Sequence, residues 1–149
     1  MEIRKVLVPA VGHAHSRMMA AFAMDIAKRH NASVTAMYVV EVPAGLPLDA
    51  ALSEEAEEGE RVVEEVRAMG ERLEVAVATK IVNARSAADA IIDEAESGGY
   101  DLIVLGVSRK RVIAQLLYGD VVSEVMKRAP CMVCVGRVGK KLNRDEDEA

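Results

Sequence analysis

Lys5-Val6-Leu7-Val8-Pro9, the loop from Ala10 to His15 and the helical pattern that starts at Ser16 together decide how this chain is read. Val6, Leu7 and Val8 form an unbroken apolar run, the mark of a strand covered on both faces rather than one face in water. Ser16 stands where a helix N-cap belongs. Met19, Phe22, Ala23, Ile26 and Ala27 then recur at helical spacing and are expected to face inward, and Asn31 stops the helix after His30.

The same alternation continues along the chain. Val34 to Val40 reads as a second strand, broken by Pro43-Ala44-Gly45-Leu46-Pro47, which reads as a mobile loop. A second helix is expected from about Asp49 to Arg72, with Ala56, Gly59, Val62, Val63, Val66 and Met69 as its inward stripe and glutamates on its solvated face. Val75 to Val82 is the third strand. Ser86 caps a third helix that turns Ala88, Ile91, Ile92 and Ala95 inward and closes at Gly98-Gly99. Leu102 to Gly106 is the fourth strand. After a long loop, Gly119-Asp120 opens a fourth helix, with Val121, Val122, Val125 and Ala129 toward the sheet, and Pro130 ends it. Cys131 to Val135 is the fifth strand, and the charged tail 140–149 reads as disordered.

Strands alternating with helices demand right-handed crossovers and a mostly parallel, doubly wound α/β sheet. No internal repeat or second domain is visible, so residues 1–139 are expected to form one domain. Ligands of such sheets bind beyond the carboxyl ends of the strands, where the strand order reverses. Gly12 and Gly106 follow the first and fourth strands, so a small-molecule site is expected between those two ends.

The bulk composition excludes several function classes. A chain of 149 residues buries about 70% of its unfolded surface and needs no metal or disulfide to hold together. A net charge of −5, with one Phe, three Tyr and no Trp, offers neither a basic face nor stacking rings for nucleic acid. Arg109-Lys110-Arg111 and Lys140-Lys141 are too short to reverse that balance. The amino-terminal apolar run is too short for a signal or a membrane span, so a cytoplasmic protein is expected. Cys131 and Cys134 form a C-x-x-C pattern, but on a strand residues three apart face opposite ways. A redox pair needs a helix N-terminus, so two buried core thiols are expected instead.

His13 and His15 flank Ala14 in the loop at the expected switch point. They could contact a metal or a phosphate, but no third ligand lies in that segment, and an ordinary solvated loop is the plainer reading. No nucleophile beside a base and no acid–base carboxylate pair stands out, so no catalytic residue is assigned.

At this point Val6-Leu7-Val8-Pro9, Asp101-Leu102-Ile103-Val104-Leu105-Gly106 and the stretch from Gly119 to Ala129-Pro130-Cys131 carry a resemblance to the universal stress protein family over residues 3 to about 137. The resemblance implies a Rossmann-like fold of the adenine nucleotide alpha hydrolase type, a five-stranded parallel sheet in the order 3-2-1-4-5. It also implies a homodimer paired through the fifth strand, at Met132, Val133, Cys134 and Val135. ATP-binding members carry an Asp after the first strand and a G-x2-G-x9-G motif followed by Ser or Thr. Glycines there let backbone N–H groups approach phosphates, and the last one opens a helix whose positive end faces the anion.

Laid on this chain, Gly12, Gly106 and Gly119 match that pattern. The Asp position is Val11, the Ser after Gly12 is His13, the second glycine of the motif is Arg109, and the hydroxyl position is Asp120. One lost polar contact costs ~0.5–1.5 kcal/mol, and a carboxylate ~4 Å from a phosphate charge costs ~1–4 kcal/mol. The sum, on the order of 3 kcal/mol, is about a hundredfold in affinity. Arg109, Lys110 and Arg111 could recover part of it on phosphates. Asp120 also makes a good N-cap without any ligand.

The candidate crevice is therefore Pro9, Ala10, Val11, Gly12, Val39, Val40, Gly106, Arg109, Gly119 and Asp120. The first functional expectation is a non-catalytic regulatory module with little or no ATP binding and no resident cofactor, acting on a protein partner such as a membrane transporter or on relatives. The alternative is an ATP or AMP sensor, even a slow ATPase, using Arg109 and the Gly119 helix start for phosphate and the backbone near Val39-Val40 for adenine. A metal-dependent enzyme ranks third.

Overall fold

The computed structural model describes residues 1–11, 17–107 and 121–137. Its elements run β1 (Lys5–Val11), α1 (Arg17–His30), β2 (Ser33–Glu41), α2 (Ser53–Leu73), β3 (Val77–Ala84), α3 (Ala87–Gly98), β4 (Leu102–Val107), α4 (Val121–Arg128) and β5 (Met132–Arg137). All five strands pair in parallel, in the order β3-β2-β1-β4-β5. The expected doubly wound α/β sheet is the observed one.

Alternation along the strands builds two apolar layers. Val6, Val34, Ala36, Tyr38, Leu102 and Val104 face α1 and α2, with Met24, Ala27, Val62 and Val66 packed on them. Leu7, Met37, Val39, Ile103 and Leu105 face α3 and α4, with Ile91, Ala95 and Val125 packed on them. Val125 is the fully buried residue of α4, with Val121, Val122 and Ala129 packed beside it on the same layer.

Three helices end in one way. Asn31, Glu74 and Gly99 take left-handed backbone angles, with φ of 55°, 60° and 67°. The next residue in each case sends its N–H back five positions, Ala32 to Ala27, Val75 to Gly70 and Tyr100 to Ala95. This is the Schellman arrangement, in which the residue after the left-handed one packs against the helix. Ala32, Val75 and Tyr100 are accordingly buried.

That motif explains one correction. Val75-Ala76 was expected to start the third strand, but Val75 belongs to the end of α2 and β3 begins at Val77. The second helix likewise starts at Ser53 rather than near Asp49, because Pro47 to Leu52 is taken up by turns.

Two further expectations fail at the side-chain level. Phe22 does not face the core; it is 44% exposed, and Ala20 and Met24 occupy the inward face instead. Cys131 and Cys134 are half-buried rather than buried. They do lie on opposite faces, Cys134 against the α1/α2 layer and Cys131 against the α3/α4 layer. Burial, with the charge of Asp101 adding to it, pushes the Cys131 thiol up and away from reactivity.

The segment after β2 is better tied than its Pro and Gly content implied. Leu46 N–H donates to Pro43 and Ala50 N–H to Pro47. The Asn83 amide donates to the carbonyls of Leu48 and Ala50, at 2.9 and 3.2 Å, and Arg85 donates to those of Val42 and Pro43. The tail 140–149 lies outside the described residues.

Candidate functional site

The site begins with a ladder that stops early. β1 pairs with β2 along its whole length, from Lys5↔Ser33 to Val11↔Val39, and β4 pairs with β5 from Leu102↔Met132 to Val107↔Arg137. Between β1 and β4 the register holds only Val6↔Leu102 and Leu7↔Ile103.

Backbone direction explains the gap. Arg4 accepts from Ser33 N–H on the β2 side, and Lys5 accepts from Asp101 N–H on the β4 side. Successive residues of a strand turn their N–H and C=O to opposite neighbours, so Lys5, Leu7, Pro9 and Val11 all address β4. Pro9 has no N–H to give. The ladder ends where that donor is missing, and the sheet divides at its carboxyl edge into a β3-β2-β1 part and a β4-β5 part. This division falls at the switch point of the strand order, where doubly wound sheets bind ligands.

The alternation also assigns the polar groups of the crevice. Val11 turns its own N–H and C=O into it. On β2, Val34 donates to Ala76 and Val42 to Ala84, so even-numbered residues address β3. Val40 is therefore committed away from the crevice, while Val39 and Glu41 address the β1 side. Glu41 was missed in the sequence because it reads as the polar end of an apolar run; only the hydrogen-bond parity of β2 reveals it. Its carboxylate accepts from Ala87 N–H at 3.3 Å, beside the Ser86 hydroxyl that accepts from Asp89 N–H at 3.2 Å. That end of β2 is thus clamped to the start of α3.

Beneath the crevice lies a cavity of about 20 Å³, lined by Val8, Pro9, Ala10, Met19, Val62 and Gly106 among others, with Arg17 and Glu65 at its rim. That volume holds about one water. Of the expected crevice residues, Pro9, Ala10 and Gly106 meet around this cavity, Val11 and Val39 are ladder partners just above it, and Val40 points elsewhere. Gly12, His13, His15, Arg109, Gly119 and Asp120 lie outside the described residues. Among the described residues no cluster of three or more His, Cys, Asp or Glu side chains is placed to hold a metal, and no helix is long and apolar enough to cross a membrane.

A larger groove of about 490 Å³ opens at the opposite, amino end of the sheet, past Lys5, Thr35, Lys80, Glu94 and Tyr100. Its charges are already engaged. Lys5 Nζ donates to the Gly98 carbonyl at 2.7 Å and sits 4.5 Å above the Tyr100 ring. Lys80 holds Glu94, and Tyr100 donates its hydroxyl to the same carboxylate at 2.9 Å. Burial and that carboxylate push the Tyr100 phenol up to about 12, against a smaller opposing effect from Thr35. The groove braces the end of α3, while at the carboxyl edge Val11 and Glu41 turn main-chain groups toward the division between β1 and β4.

The comparisons agree with this geometry. The universal stress protein family profile matches residues 2–137. A universal stress protein of Methanocaldococcus jannaschii, MJ0531, is 35% identical over 93% of this chain and 84% of its own length. The solved structure of the universal stress protein UspA from Lactobacillus plantarum is 28% identical, with a TM-score of 0.67 over 91% of this chain and 98% of that one. An Arabidopsis thaliana family member, solved with AMP bound, is 16% identical, with a TM-score of 0.67 over 94% and 95%. The sheet order, the divided carboxyl edge and the profile match leave one assignment: this chain belongs to the universal stress protein family.

Proposed function

We propose that this chain is a non-catalytic, cytoplasmic regulatory domain that self-associates and holds adenine nucleotides weakly or not at all. The observation that carries the reading is the place of Val11. It occupies the last described rung of β1, opposite Val39, at the position where ATP-binding relatives carry an aspartate. Main-chain groups face the crevice there, with no carboxylate to hold a ribose or base. One such contact is worth ~0.5–1.5 kcal/mol, up to about tenfold in affinity.

Isothermal titration with ATP and AMP tests the reading on the wild-type chain and on Val11→Asp. The expected outcome is no binding by the wild type below the millimolar range and a several-fold gain for the variant. Micromolar binding by the wild type would overturn the proposal. It would favour a nucleotide sensor instead, a reading supported by the Pro9 division and the backbone of Glu41.

The contrast between the two sheet edges supports self-association through β5. The β3 edge carries Thr79, Lys80 and Asn83, and a lysine on an edge strand deters pairing. The β5 edge carries Met132, Val133, Cys134 and Val135, with Met132 half-exposed, and its one charge, Arg137, lies at the end of the described strand. An apolar unpaired edge is a template for a second strand, and antiparallel pairing about a two-fold axis satisfies both copies.

A further inference from the structure

Eight large apolar side chains are exposed among the described residues, and their distribution is uneven. Met1 is terminal and Leu46 and Leu48 lie on the loop after β2. The other five, Met18, Phe22, Met126, Met132 and Val135, lie on β5 or on α1 and α4; α1 packs across β4, β1 and β2, and α4 against α3 and β5.

Gly136 lets α1 approach β5 closely. A side chain on Gly136 would run into the Met19 thioether, so Met19 lies directly on the β5 backbone. The sheet-facing residues of α1 are Met19, Ala20, Ala23, Met24 and Ala27, and Met19 stands at the β5 side of that stripe. Phe22 and Ile26 follow it at i+3 and i+7, so they continue down the same flank. A helix rises ~1.5 Å and a strand ~3.3 Å per residue. Since α1 runs back against the strands, this spacing carries Phe22 and Ile26 toward the Cys134 and Met132 end of β5. The other flank of α1 meets α2.

We propose that the surface joining two copies of this chain is not the β5 edge alone but a composite of that edge and the β5-side flank of α1, with Phe22 as its apolar anchor. The argument is one of area and rests on the β5-edge reading above. The six described residues of that edge span about 20 Å in length and about 10 Å in depth, a footprint on the order of 200 Å². A stable interface needs about 800 Å² per partner. The flanks must supply most of it, and an exposed aromatic beside the strand is the residue type that anchors interface cores.

Sedimentation equilibrium and light scattering on the full chain test this with Phe22→Glu, Phe22→Ser and Leu48→Glu, the last being exposed and remote. The wild type is expected to be dimeric. Both Phe22 variants should weaken the dimer at least tenfold, with circular dichroism and a melting curve at the monomer's own stability showing an intact fold. Leu48→Glu should dimerise as the wild type does. A dimer of undiminished affinity in both Phe22 variants would overturn the α1 contribution while leaving the β5 edge standing. A wild type that is monomeric at all concentrations, or a dimer broken equally by Leu48→Glu, would remove both.

Discussion

Replacing Pro9 by alanine tests the physical origin of the crevice. If the β1–β4 ladder stops because one donor is missing, restoring that donor should let it continue. Alternation sets the carbonyl of Ile103 opposite the new N–H, one rung beyond the observed Leu7↔Ile103 pair. A net hydrogen bond contributes about 0.5–1.5 kcal/mol. Losing the proline's restriction of the unfolded chain costs about 0.4–1 kcal/mol. The two nearly cancel, so the melting temperature should move by no more than about 4 °C for a chain of this size. Amide exchange is the sharper assay. In Pro9→Ala the new N–H at position 9 should exchange at least about tenfold more slowly than a loop amide, which corresponds to ~1.4 kcal/mol of local protection. If that amide exchanges as freely as an exposed loop residue, the strands are held apart by the side chains beneath them, and the missing donor of Pro9 is not what opens the crevice.

Two other outcomes follow from the packing and the charges. Gly70→Ala adds about 1 kcal/mol of helix propensity, but its Cβ would meet the Val77 side chain and stand 2.9 Å from the Val75 carbonyl inside the Schellman turn. Overpacking of this kind costs about 1–3 kcal/mol, so urea unfolding should show a net loss; a gain would mean the turn yields easily. Tyr100, raised to about 12 in the folded chain from an ordinary 10, favours folding while it stays neutral. Its contribution is complete below pH 10 and is lost as pH rises from 10 through 12. Stability measured across that window should fall more steeply for the wild type than for Tyr100→Phe, and parallel curves would contradict the assignment.

Much of this protein is legible from its residues alone. Unbroken apolar runs such as Val6-Leu7-Val8 and Leu102 to Leu105 read as strands covered on both faces, and their alternation with helical patterns leaves a parallel sheet as the outcome. Local rules worked where local chemistry decides, as at the Ser86 cap and the Asn31 and Gly99 terminations. They failed where two readings share one local pattern. Val75 is apolar whether it starts a strand or closes a helix, and only the left-handed Glu74 separates the cases. Phe22 fits a helical stripe from sequence, yet in the fold Met19, packed on Gly136 more than a hundred residues away, and Ala20 and Met24 take the inward positions.

The site divides in the same way. Residue identity was enough to name a valine at position 11, after the first strand, and to say that Pro9 cannot donate. What those facts do depends on the assembled sheet. A missing N–H matters only once the neighbour it should have met is known, and the hydrogen-bond parity that turns Glu41 toward β1 while committing Val40 to β3 exists only when three strands lie side by side. Pairing partners are non-local, so no periodicity along the chain encodes them.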